Sequence, residues 1–162
     1  MKEFLSLSDE NKMVYYLGLS QKIISTFSQT TDRKIAQEAL DVCWNWLQNP
    51  SDIGEELYNL LDDEDSGITT IEEMSINEYD KSAWNCIIDA VAYTSRKAYE
   101  KEGAIYFPEP IGLVDDDLVT HFNECYRNCS HGDYEGINRM LDLLSTYSLD
   151  KSNVKDLFLE NI

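Results

Sequence analysis

The sequence predicts an all-α fold: an irregular single-domain bundle of about seven or eight helices around a central helix near 78–102. Three observations carry this expectation. Apolar residues recur at helical spacing almost everywhere, and no convincing alternating stretch interrupts them. Residues that cap and stop helices fall between those stretches. The chain of 162 residues, 43% hydrophobic, is long enough for a real core, since a domain near this size buries roughly 70% of its unfolded surface. No repeat, low-complexity tract or shift in composition divides it, so the domain is expected to span 1–162.

Ser8, followed by Asp9 and Glu10, caps a first helix reaching about Phe27, because a hydroxyl and early acids satisfy the free N–H groups at a helix start. Its inward stripe is Met13, Tyr16, Leu17, Ser20, Ile23, Ile24 and Phe27. The loop Ser28–Thr31 precedes a second helix with Ile35, Ala39, Leu40, Cys43, Trp46 and Leu47 on one face. Asn49-Pro50 stops it near Gln48, since proline disfavours helix in the residue before it. Ser51 caps a shorter helix through Leu57, Leu60 and Leu61, which ends in the acidic loop Asp62–Gly67. One or two helical turns follow between Thr69 and Ser75.

Asn77, with Asp80 three residues on, resembles a capping box for the longest helix, which ends near Gly103. Trp84, Ile87, Ile88, Val91, Ser95, Ala98 and Glu102 form one stripe of it, and Cys86, Ala90 and Tyr93 lie nearly opposite. A helix apolar on two sides is expected at the centre. Asn85, Asp89, Arg96 and Glu100 form its polar stripe. Tyr106–Pro110 reads as an extended link. Asp115–Asp117 opens a helix to about Asn128. Asp133 opens another, carrying Tyr134, Ile137, Met140, Leu141, Leu144 and Tyr147, and a last short helix is expected around Val154–Leu159.

Charge narrows the function. Thirty-one acidic residues face 13 basic ones, a formal −18. Such a surface repels phosphate backbones and anionic membranes, so nucleic acid and membrane are not expected partners. It attracts basic proteins, with association faster by roughly 10–10³-fold at low salt. No apolar run of 18 residues is present to span a bilayer, and Met1-Lys2-Glu3-Phe4 lacks the layout of a signal peptide. With four cysteines, Cys43, Cys86, Cys125 and Cys129, and two of them inside apolar helical patterns, a reduced cytoplasmic protein is expected.

Signatures of catalysis are missing: there is no glycine-rich phosphate loop, nucleophile elbow, HExxH or CxxC. No enzymatic activity, small-molecule substrate or cofactor is implied. The densest chemical cluster is His121-x3-Cys125-x3-Cys129-x-His131. Ligands four apart share a helix face and chelate zinc, but His121 and Cys129 are separated by about 12 Å in a straight helix, so no metal site is expected. The loop after Leu61 offers an alternative function. Asp62, Glu64, Ser66, Gly67 and Glu73 occupy positions 1, 3, 5, 6 and 12 of an EF-hand loop, although Thr69 replaces the apolar residue of position 8. A calcium-responsive helical protein using Asp62–Glu73 is the competing reading.

Between Lys34 and Lys81 there is no lysine or arginine, and 13 acids occupy 46 residues. Like charges this close repel one another and weaken the fold, which makes a compensating role in partner binding the sharper reading beside plain solubility. The candidate partner-binding set is Glu55, Tyr58, Asp62, Asp63, Glu64, Asp65, Glu72, Glu73 and Tyr79, with the two tyrosines as aromatic anchors.

The stretches Lys34–Leu47 (KIAQEALDVCWNWL) and Ala83–Tyr93 (AWNCIIDAVAY) resemble the sixth-numbered immunity protein family of bacterial polymorphic toxin systems. Leu57-Tyr58, Asp63–Gly67, Phe107-Pro108 and Val114–Asp116 are similar to it as well, and the likeness covers roughly residues 5–125. These are helix-core and loop patterns rather than chemical signatures. The resemblance implies an α-helical cytoplasmic protein that binds and blocks a cognate protein toxin. It carries over no contact residues.

Overall fold

In the computed structural model, residues 1–146 together with Lys155, Asp156 and Glu160 are described. Among them are nine α-helices and one 3-10 turn. They run as α1 (Lys2–Leu5), α2 (Asp9–Ile23) with the 3-10 turn Ile24–Thr26, α3 (Thr30–Gln48), α4 (Gly54–Asp62) and α5 (Ile68–Met74). The chain continues through α6 (Glu78–Glu102), α7 (Glu109–Gly112), α8 (Leu118–Cys129) and α9 (Tyr134–Thr146). No strand occurs among the described residues. The two short helices α1 and α7 are the additions to the expected set. The expected helix around Val154–Leu159 and its Leu157 and Phe158 lie outside the described residues, apart from Lys155 and Asp156, which are helical.

Caps read from the sequence set the boundaries. The Ser8 hydroxyl accepts from the Asn11 N–H at 3.2 Å and opens α2. The Asn77 side chain accepts from the N–H groups of Tyr79 and Asp80 and opens α6. Gly103 closes α6 in the left-handed region at φ 73°, which only glycine enters without strain. Two details differ. The Asp80 carboxylate does not close a capping box; it reaches sideways and accepts from the Ser28 N–H and hydroxyl, pinning the α2–α3 connection to α6. Ser51 does not cap α4, which begins at Gly54 after Ile53. There the Gly54 N–H donates to Glu102 at 2.6 Å, and the Gly54 carbonyl accepts from Ser95 at 2.9 Å.

The central position of α6 follows from its two apolar faces. It contacts α2, α3, α4, α5, α7 and α8. Trp84, Ile87, Ala90 and Val91 are fully buried along it. Trp84 lies against Phe27 with ring centroids 4.7 Å apart. α2 is buried more completely than a single stripe predicts, with Lys12 through Ser20 inaccessible in one run. Tyr15 and Tyr16 join one aromatic cluster: both meet Phe4, at 5.1 and 5.6 Å, and Phe122, at 6.0 and 5.0 Å, and Tyr16 also meets Tyr93 at 4.8 Å. The helix is surrounded by α3, α6, α8 and α9, all of which it contacts. Even Lys12 is inside, its ammonium 3.0 and 2.9 Å from the two Asp116 oxygens. Trp44 is buried as well.

Candidate functional site

The chemical cluster on α8 joins a buried carboxylate of α6 to a half-exposed imidazole and a half-buried thiol. His121 and Cys125 are four residues apart on one face, and the Cys125 sulfur is 3.6 Å from His121 Nε2. His121 Nδ1 is 2.7 Å from Oδ2 of Asp89. Asp89, assigned to a polar stripe by periodicity, is in fact buried at 4% exposure, because α8 lies across that stripe of α6. Burial pushes its carboxyl above the usual range, opposed by the hydrogen bond to His121. That same bond raises the His121 imidazole. Burial, with the Asp89 charge added, lifts the Cys125 thiol to about 12, so it is not a ready nucleophile. Cys129 is fully buried and donates to the Tyr126 carbonyl. His131 sits past the helix end at φ 55° with its ring 4.8 Å from Tyr79. No group of three or more His, Cys, Asp or Glu able to hold a metal ion occurs among the described residues.

The EF-hand spacing is not realised in three dimensions. Only Asp63–Gly67 separates α4 from α5, and position 7 of the supposed loop, Ile68, is already the buried first residue of α5. A twelve-residue loop cannot wrap an ion when half of it is helix. Asp63 serves the turn itself: its Oδ1 accepts from the Asp65 N–H at 3.0 Å and from the Ser66 N–H and hydroxyl at 2.9 Å. Those donors hold the exposed Asp63 carboxyl below the usual range.

What the acidic half builds is a groove. Two adjoining concavities of about 600 and 670 Å³ share Ile35 and Ile71; the larger lies between α3 and the α4–α5 pair, and the smaller between the start of α3 and the end of α5 with the segment leading into α6. The floor is apolar: Ile35, Ala39 and Val42 from α3, Leu60 from α4, Ile68 and Ile71 from α5. Met74 and Ile76 line its far end, 77% and 98% exposed. Asp32, Glu38, Glu56, Asp63 and Asp65 stand around the lining, and among the described residues no lysine or arginine is part of it.

Ten acids fall between Asp52 and Glu78: Asp52, Glu55, Glu56, Asp62, Asp63, Glu64, Asp65, Glu72, Glu73 and Glu78. Among the described residues none of them takes part in a salt bridge. Cations elsewhere are engaged, as in Lys22–Asp133, Arg96–Glu100, Lys97–Asp9 and Lys155–Asp41. The acidic half is therefore negative in space as well as in sequence.

Of the nine predicted partner-binding residues, Asp63 and Asp65 reach the groove. Glu55, Tyr58 and Asp62 share a different stripe of α4, where the Tyr58 hydroxyl donates to Asp62 at 2.6 Å. Glu64 and Glu73 are exposed outside the groove lining. Glu72 is half-buried and accepts from Asn85 at 3.2 Å. Tyr79, 48% exposed, lies against His131. Sequence reasoning missed the apolar groove residues Val42, Ile71, Met74 and Ile76. It grouped Ile35 with the apolar face of α3 and Leu60 with Leu57 and Leu61; both are half-buried at the groove. The one legible signal was the pair Met74 and Ile76, two large apolar residues in a short segment with little core to join.

No curated protein matches the chain at a significant level, and no solved structure does. The model of the family described as Immunity protein Imm6 matches residues 11–129, which takes in α2 through α8 and therefore both walls of the groove. With well over half of its length matched, the chain belongs to the Imm6 family of immunity proteins.

Proposed function

We propose that the protein neutralises a cognate bacterial toxin of a polymorphic toxin system in the cytoplasm of the producing cell, by stoichiometric binding and without catalysis. The observation that carries this reading is the run of ten acids between Asp52 and Glu78, none of which takes part in a salt bridge among the described residues. Carboxylates kept together without counter-charges weaken the isolated fold, and a cationic partner reverses that cost. The toxin is accordingly a basic protein. A nuclease domain, whose substrate is itself a polyanion, fits this best: a surface of net −18 competes for the cations that would hold phosphate. Inhibition of this kind requires only an interface of about 1,600 Å² in total that covers or distorts the toxin's active site.

The test uses the toxin domain encoded beside this gene. Co-expression should rescue cells from that toxin. In vitro, association should slow as salt is raised. Replacing Glu55, Glu56, Asp62, Glu64 and Asp65 by their amides should lower the association rate by at least tenfold and flatten its salt dependence. Multiple-turnover destruction of the toxin, or of a small molecule the toxin needs, by sub-stoichiometric amounts of the chain would overturn the reading.

A further inference from the structure

We propose that the groove between α3 and the α4–α5 pair is the seat of a cationic amphipathic helix of the toxin. Apolar residues of that helix would rest on Ile35, Val42, Leu60 and Ile71, with lysines or arginines on its flanks facing Glu38, Glu56, Asp63 and Asp65. The inference rests on the inhibitor reading above and names the element of the partner that the inhibitor holds.

Three features of the groove select this occupant. The first is its shape. Two concavities meet at Ile35 and Ile71, the larger walled by α3, α4 and α5 and the smaller bounded also by the connections before α3 and after α5. Along α3 the groove runs from Asp32 to Val42, about 15 Å at 1.5 Å per residue. That length accommodates nearly three helical turns, with apolar positions at i, i+3 or i+4 and i+7 meeting the floor. The second is its unmet apolar surface. Ile76 at 98% and Met74 at 77% exposure stand at the open end, where large side chains left in water mark an interaction surface. Methionine also adapts its shape to a partner at little cost.

The third is charge, and it excludes the rival occupants. Among the described residues the acidic rim has no lysine or arginine in the lining to offset it. A second copy of this chain would bring acid against acid across a two-fold axis. Nucleic acid and anionic lipid meet the same repulsion. A purely apolar peptide would leave the rim carboxylates partly desolvated and unpaired. Only a ligand apolar along one ridge and positive on both sides satisfies floor and rim together.

The floor and the rim should also separate kinetically. Rim charges act at a distance and govern the association rate, whereas the apolar seat governs how long the complex lasts. The experiment is titration of the purified toxin domain against the full chain and against the charge-neutral double variant Met74→Gln, Ile76→Gln. Both positions are largely exposed, so the melting temperature should be unchanged, while Kd should rise at least tenfold with most of the loss in the dissociation rate. In parallel, hydrogen exchange on the unmodified chain should show toxin-dependent protection of residues 32–42 and 68–76. Wild-type affinity in the double variant, or protection confined to α6 and α8, would overturn the groove assignment while leaving the inhibitor reading intact. A free-chain dimer that the same two substitutions dissolve would assign the groove to self-association and also overturn it. Failure of the unmodified chain to bind the toxin at all would instead remove the inhibitor reading.

Discussion

His121 Nδ1 lies 2.7 Å from Oδ2 of Asp89, joining a half-exposed imidazole on α8 to a carboxylate buried within α6. The hydrogen bond from the imidazolium raises His121, so the folded chain holds that proton more tightly than the unfolded one. Its stabilisation is complete below about 6.5, the ordinary histidine value, and is lost as pH climbs through the folded value. Asp89 is raised as well, by burial, and its contribution fades in the same direction over a more acidic window. Thermal stability should therefore fall between pH 6 and pH 8.5. His121→Gln should cost about 1–2 kcal/mol at pH 6, discounted for the exposure of the imidazole, and less at pH 8.5. A melting temperature of the parent protein that rises over this interval would contradict the pairing.

The four thiols should separate sharply in reactivity. Cys43, Cys86 and Cys129 are fully buried, whereas Cys125 is half-buried beside His121. Burial lifts Cys43 and Cys125 to about 12 and Cys86 well above the usual value. Titration of the native chain with a disulfide reagent at pH 8 should therefore modify one thiol slowly, and Cys125→Ser should abolish that phase. Four thiols should react at once in denaturant. Fast modification of two or more in the native state would contradict the packing of α8 on α6.

Gly67→Ala should destabilise the fold through contact rather than through backbone preference. A Cβ at Gly67 would stand 2.5 Å from the Asp63 carbonyl oxygen and 2.6 Å from that of Leu61, both main-chain atoms that cannot swing aside. Opening the α4–α5 turn should cost about 1–3 kcal/mol, a fall of roughly 2–4 °C in melting temperature per kcal/mol at this chain length. A variant melting with the parent would show that the turn relaxes freely.

The free protein should be stabilised by simple salt. Carboxylates that have no ion-pair partner among the described residues crowd α4, α5 and their connection, and raising sodium chloride from 10 to 200 mM shortens the Debye length from about 30 Å to below 10 Å. The melting temperature should rise over that range. The variant Asp62→Asn, Glu64→Gln, Asp65→Asn should start higher in low salt and rise less. Equal salt slopes would show that these charges do not load the fold.

How much was legible can be followed at individual residues. Ser8, Asn77 and Gly103 announce helix ends because their local chemistry satisfies terminal backbone groups whatever packs nearby. The two apolar faces of α6 announce a central helix for the same kind of reason. Asp89 was misplaced because a polar residue on a polar stripe says nothing about which helix will cross it. The calcium spacing misled because spacing along the chain counts residues, while Ile68 was needed in the core and pulled half of the loop into α5.

The helical class, the ends of the principal helices and the concentration of negative charge between Lys34 and Lys81 are written into the chain locally. Each of these depends on residues within a few positions of one another. Packing in three dimensions was needed to bring Ile35 and Val42 to a groove with Leu60 and Ile71, to fold Asp63 onto its own turn, and to set His121 against Asp89 32 residues away. Those outcomes depend on how helices cross, which is set by the fit of whole faces and leaves no periodic trace in the chain.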